Sequence, residues 1–216
     1  MDETVLNKNM VDGQIKPING MSEQLLSAFY SLNRNDFMPE TLNNMSYVDK
    51  NIILENNRTI LKPELIAKIA LFIDLKPDEN VLVLGSSTGY LSAILSHLAE
   101  TVIVVEEDER LLDESEKAVK KNNINNIVFI KSGLSKGYSD QSPFNAIIIE
   151  GAVQEVPRNI LEQLEEGGRL LAIIDEGEVC SGILFTKTGN KFNEQNLFNC
   201  YLPALDVFKK KNSFSF

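Results

Sequence analysis

Between Asn80 and Ile174 the chain carries five short, almost wholly apolar runs: NVLVLG, TVIVVEE, NIVFIK, NAIIIEGA and RLLAII. Continuous apolar runs of this length belong to strands that are covered on both faces. The stretches between them read as helices. One runs from Tyr90 to Leu98, and one from Asp108 to about Lys121 with acids early and lysines late. A third runs from Pro157 to Leu164, with Gly167-Gly168 as its stop. Strands alternating with helices return to the sheet by crossovers, which makes neighbouring strands parallel. The pattern therefore predicts an α/β fold, a doubly wound and mostly parallel sheet. The segment GILFTKTGNKFNEQNLFNCYL, turning near Gly189 and Asn190, predicts an antiparallel hairpin at one edge.

The chain before this core reads as a helical extension. Asp2 to Ile15 suits a helix interrupted near Gly13, and Ser22 can cap a helix running to about Leu32. Residues 35–54, with Pro39, show no clear period and read as loop. Pro63 opens a helix whose apolar face is Leu65, Ile66, Ile69, Ala70 and Ile73. No linker separates a second domain. The expected organisation is one domain over 1–216, with an extension over 1–62 on the substrate side and a ligand-binding core over 63–216.

Composition narrows the function. With 21 basic and 31 acidic residues the net charge is −10, which disfavours binding to nucleic acid or to an anionic membrane. The basic run Lys209-Lys210-Lys211 reads as a solvated tail, and no apolar run approaches a membrane span. Cys180 and Cys200 make no CxxC pair, so neither a zinc site nor a disulfide framework is expected. With no secretory signal at the start, a reducing cytoplasm is the expected compartment. The single histidine, His97, falls near the end of a helix and reads as a surface residue. Oligomeric state is not legible.

The stretch VLVLGSSTGY is where a ligand is expected, because open parallel sheets bind ligands outside the carboxyl ends of their strands. It is not a phosphate-binding P-loop, since Gly89 is followed by Tyr90 and no lysine. It also lacks the spacing GxGxxG. GSSTG keeps the first and last glycines, Gly85 and Gly89, of the GxGxG loop of S-adenosylmethionine methyltransferases. Glu106 lies 21 residues after Gly85, at the end of the next strand, where a carboxylate can accept both ribose hydroxyls. Asp108 reads as a helix N-cap. Tyr90 reads equally as a core ring or as a ring beside a ligand. Glu150 reads equally as an active-site acid or as a solvent-facing rim of the cleft.

These features, with SPFNAIII, VPRNILEQLEEGGRLL, MVDGQIKPINGMSEQLLSAFYSLNRNDFMPE and TILKPELIAKI, resemble the protein-L-isoaspartate O-methyltransferase family over about Asn9 to Ile174. The resemblance implies S-adenosylmethionine as cofactor and the free carboxylate of damaged protein or peptide as acceptor. It implies that Thr59 and Leu61 line the acceptor side, that Gly85, Ser86, Ser87 and Gly89 surround the methionine and ribose, and that Glu106 holds the ribose. Gly133 and Leu134 would meet the adenine through their main chain. No metal is implied. Several positions depart from the family pattern: Ser87 replaces the middle glycine, Val83 an acid within the strand, and Leu61-Lys62 a Ser-Gln pair. Ser132-Gly133-Leu134 replaces Gly-Asp-Gly, and Asn145 the aspartate of Pro-Phe-Asp-Ala-Ile. Two alternatives follow from the departures: the same fold with another acceptor, or a protein that keeps the fold and has lost catalysis.

Overall fold

Strands β3 (Asn80–Leu84), β4 (Thr101–Glu106), β5 (Ile127–Lys131), β6 (Phe144–Val153), β7 (Leu164–Asp175), β8 (Cys180–Thr188) and β9 (Lys191–Cys200) form one sheet in the order β5-β4-β3-β6-β7-β8-β9. The structure is a computed structural model describing residues 2–209. Lys210 and Lys211 of the basic run, and the terminal NSFSF, lie outside the described residues. The first five strands in that order are parallel, and β8 and β9 close the edge as an antiparallel hairpin turning at Gly189-Asn190. The order doubles back at β3: β4 and β5 lie on one side of it, β6 and β7 on the other. The ends of β3 and β6 therefore flank the switch point, where a crevice opens in folds of this kind.

Alternate residues of each strand feed two cores. Val81 and Val83 point into one, with α3 (Pro63–Ile73), α4 (Tyr90–Ser96) and the buried face of α5 (Glu109–Lys121). Leu82 and Leu84 point into the other, with α6 (Arg158–Leu161) and the C-terminal Leu205 and Phe208. The N-terminal helices α1 (Glu3–Met10) and α2 (Glu23–Ser31) join the first core through Met10, Leu25 and Phe29. Val83 is thus a fully buried core residue.

Five local expectations need adjustment. The first helix is not broken at Gly13 but widens into a π-turn over Val11–Ile15. Residues 35–54 are not plain loop: 3₁₀ turns cover Arg34–Phe37 and Glu40–Met45, and a small hairpin pairs β1 (Ile52–Ile53) with β2 (Thr59–Ile60). Segments this short carry no readable period. The helix from Tyr90 stops at Ser96. The helix expected over Pro157–Leu164 covers only Arg158–Leu161, because Leu164 already pairs with Phe144. Gly167-Gly168 does not end a helix. It forms a bulge inside β7, where the register with β6 shifts and Gly167 takes φ +77°.

Capping follows the sequence. The Ser22 hydroxyl accepts from Leu25 N–H at 3.1 Å, and Asp108 accepts from the N–H groups of Arg110 and Leu111 at 3.0 and 3.3 Å. Asp108→Ala is expected to lower stability by about 1 kcal/mol, read by urea denaturation, because two N–H donors at the start of α5 lose their acceptor.

Candidate functional site

The turn after β3 owes its glycines to two different constraints. Gly85 has φ +90°, and a Cβ there would lie 3.1 Å from the Arg58 guanidinium. Gly89 has φ +81°, and its Cβ would lie 3.2–3.3 Å from the Cβ and Cα of Ser115. The second glycine therefore lets α5 approach the turn. Between them, Ser86, Ser87 and Thr88 are all buried. Ser86 Oγ lies 3.0 Å from Ser115 Oγ, a further tie between turn and helix.

Glu106 is the centre of the site. Its side chain is fully buried at the end of β4. Ser86 N–H donates to Oε2 at 2.7 Å, and the N–H groups of Glu107 and Asp108 donate to Oε1 at 2.8 and 2.9 Å. Arg58, itself 5 % exposed, completes the shell with Nη1 to Oε1 at 2.9 Å and Nη2 to Oε2 at 2.5 Å. The carboxylate thus accepts from five N–H groups, against about four lone-pair positions.

Beside it, Ser87 donates its hydroxyl to Glu150 Oε1 at 2.5 Å. Glu150 ends the straight part of β6 and is buried, so it is not a solvent-facing rim. Its second oxygen, Oε2, has no hydrogen-bond partner among the described residues. Burial pushes its carboxyl up to about 7, against the lowering pull of Ser87 and Arg58 and with a raising push from Glu106. A carboxyl whose folded pKa lies above its unfolded value binds a proton more tightly when folded. Its contribution therefore favours the fold below about pH 4.5 and turns unfavourable as pH rises to about 7. Glu150→Gln is expected to remove about 2–3 kcal/mol of this loss between pH 5 and pH 8, measured by urea denaturation at both values. An unchanged pH slope in the variant would show that Glu150 titrates normally.

The acceptor-side residues separate. Thr59, on β2, is buried with its hydroxyl unpartnered among the described residues. Leu61 turns its side chain into the first core, and its carbonyl accepts from Arg34 Nη2 at 2.7 Å. Lys62 pairs with Asp49 at 3.4 Å and with Glu64. Tyr90 packs at the start of α4 against Phe29 and Phe37, with the Arg34 guanidinium 5.0 Å from its ring centre. It is a core ring. His97 is exposed, at the C-cap of α4.

On the far side of Glu106 lies a cavity of about 370 Å³, lined by Arg58, Glu107, Asp108, Leu134, Leu205 and Asp206 among others. Leu134 N–H donates to Glu107 at 3.4 Å, and a Cβ on Gly133 would lie 4.0 Å from the same carboxylate. Leu134 thus lines the cavity, Arg58 joins it to Glu106, Ser86 and Gly85, and Leu61 lies outside it. An adenosyl group is tested by the acceptor capacity of Glu106. Without Arg58 the carboxylate would keep three backbone donors, which leaves one of its about four acceptor positions, on Oε2, open to a ribose hydroxyl. The residues fit such a group once Arg58 withdraws.

Arg58 was not legible as a site residue. It stands alone in the irregular stretch NNRTILKP, and only the buried acid it meets marks it out.

A model of the family described as protein-L-isoaspartate(D-aspartate) O-methyltransferase matches residues 5–207. The chain belongs to this family. Among curated relatives, the protein-L-isoaspartate O-methyltransferase of Pseudomonas aeruginosa strain PAO1 is 33% identical over 175 residues, which cover 80% of this chain and 83% of the relative. That of Herpetosiphon aurantiacus is 28% identical over 199 residues, covering 92% and 89%. A protein-L-isoaspartate O-methyltransferase homologue from Plasmodium falciparum, solved in complex with S-adenosyl-L-homocysteine, superposes with a TM-score of 0.78 at 20% identity. The match covers 96% of this chain and 99% of that one, and establishes the shared fold. The α/β architecture with its antiparallel edge is thus the fold of the protein-L-isoaspartate O-methyltransferases. Among the described residues no helix is long and apolar enough to cross a membrane, and no cluster of three or more His, Cys, Asp or Glu side chains is arranged to hold a metal ion.

Proposed function

We propose that the chain transfers a methyl group from S-adenosylmethionine to the side-chain carboxylate of an isoaspartyl residue in a protein or peptide. The observation that carries this reading is the Glu106 carboxylate, held at the end of β4 by the N–H groups of Ser86, Glu107 and Asp108. A buried carboxylate so oriented has the chemistry to receive a ribose diol, and family membership over residues 5–207 supports the same assignment.

When bound, S-adenosylmethionine supplies an electrophilic methyl group on its sulfonium. Transfer to a carboxylate oxygen would form the carbon–oxygen bond as the carbon–sulfur bond breaks, with sulfur keeping the electron pair. An acceptor carboxylate is already ionised at neutral pH, so the protein need only position and desolvate it. Gly85, Ser86, Ser87 and Gly89 would shape the turn on the methionine and ribose side, and Leu134, which lines the 370 Å³ cavity, would with its neighbour Gly133 meet the adenine. Thr59 offers the acceptor a free hydroxyl donor. Leu61 contributes shape through the backbone that Arg34 fixes.

The test is incubation with methyl-labelled S-adenosylmethionine and two peptides, one isoaspartyl and one aspartyl. The expected result is a base-labile methyl ester on the isoaspartyl peptide alone. Absence of label on both would defeat the reading.

A further inference from the structure

The carboxylate that the proposed reaction needs for a nucleoside is already held by an arginine. Arg58 gives Glu106 two parallel hydrogen bonds, and with three backbone donors the carboxylate has no acceptor position left. The guanidinium also lies against Gly85, where the absence of a Cβ would otherwise let a ligand approach the turn. A second seat for it exists close by. Glu150 Oε2 and Arg58 Nε are both buried and both lack a partner among the described residues. The charge of Arg58 acts on the Glu150 carboxyl directly. Glu150 is otherwise faced by the Ser87 hydroxyl and, among charged groups, by Glu106 and Arg34.

We infer that Arg58 sets the affinity of the site for its adenosyl cofactor: ribose hydroxyls reach Glu106 only when the guanidinium leaves it, and the unshared oxygen of Glu150 then receives the guanidinium. The inference rests on the methyltransferase reading above. Geometry supports an exchange over a fixed structural pair. Leaving Glu106 does not strand that carboxylate, because three N–H groups remain to hold it. Arriving at Glu150 supplies the donor that its buried oxygen lacks. Arg58 also directly precedes Thr59 on β2, so the exchange links cofactor arrival to the segment that borders the acceptor.

The experiment is calorimetric titration of the full chain with S-adenosylhomocysteine. Arg58→Ala is expected to bind at least ten-fold tighter than the parent chain, because no ion pair has to be displaced. Arg58→Gln, which keeps more of the side chain should the alanine variant not fold, is expected to shift the same way. Glu150→Gln is expected to bind several-fold weaker than the parent, since it removes the second seat's charge. The double variant R58A/E150Q should match R58A alone. Affinities of R58A and R58Q equal to or below the parent's would overturn the inference. If the parent chain nevertheless methylates the isoaspartyl peptide, the methyltransferase reading survives that result. If R58A binds tightly and neither chain methylates the peptide, the inference stands and the isoaspartyl reading falls. Binding by none of the chains would remove both.

Discussion

Glu106→Ala is expected to destabilise the chain by about 3–5 kcal/mol, because three buried N–H groups lose their acceptor and Arg58 loses both of its hydrogen bonds and is left with Glu150 alone. Arg58 is 5 % exposed, Glu106 is fully buried, and the Ser86, Glu107 and Asp108 N–H groups all point at the lost carboxylate. Those N–H groups lie in the turn and at the strand end, so their loss of an acceptor loosens the crevice as well as the fold. The effect should be non-additive. The double substitution of Glu106 and Arg58 by alanine should cost less than the sum of the two single changes, since neither charge is then left alone. Urea denaturation of the four chains measures this directly. A cost below about 1 kcal/mol for Glu106→Ala would mean that Arg58 finds another partner or solvent at little cost and that the pair does not hold the fold.

Arg34→Ala is expected to have an effect of similar size for a different reason. Arg34 is almost fully buried and is paired with carbonyls and an aromatic ring: Nε donates to Ser46 O at 2.8 Å, Nη2 to Leu61 O at 2.7 Å, and the guanidinium lies over Tyr90. Removing it leaves a large cavity and two buried carbonyls without donors, a loss of about 3–5 kcal/mol. Arg34→Lys should not restore stability, because one ammonium cannot reproduce the fork that reaches both carbonyls. Because one of those carbonyls belongs to Leu61, the expected functional signature is loss of transfer to the isoaspartyl peptide with S-adenosylhomocysteine affinity retained. Equal loss of both would place Arg34 in the general scaffold. Urea denaturation and the labelled-methyl assay separate these outcomes.

The fold was legible wherever burial on two faces forces a continuous apolar run. All five parallel strands lie at the expected runs, and Gly85, Glu106 and Asp108 stand where spacing puts them. What escaped reading is whatever depends on neighbours distant in sequence. Arg34 and Arg58 look like surface cations within irregular stretches, and nothing local says that each is enclosed. The β1–β2 hairpin has two residues a side, too few for a period. Gly167-Gly168 has the composition of a helix stop. It serves as a bulge because Leu164 pairs with Phe144, a decision made by the sheet. Leu61 is an apolar residue at a position expected to face substrate, and the core simply takes it.

The end of the described chain returns to the crevice. Leu205 donates its N–H to Ala152 O at 2.8 Å and sets its side chain against Gly151, while Asp206 accepts from Asn57 at 2.9 Å. Asn51 donates to Tyr201 O at 3.2 Å. Residues 51–58 and 201–206 are therefore two sides of one seam running past Arg58. Shortening the chain to before Leu202 would unfasten that seam and remove part of the wall of the 370 Å³ cavity. A C-terminal truncation that reaches past Val207 would thus open the cavity beside Arg58 and not merely trim a tail.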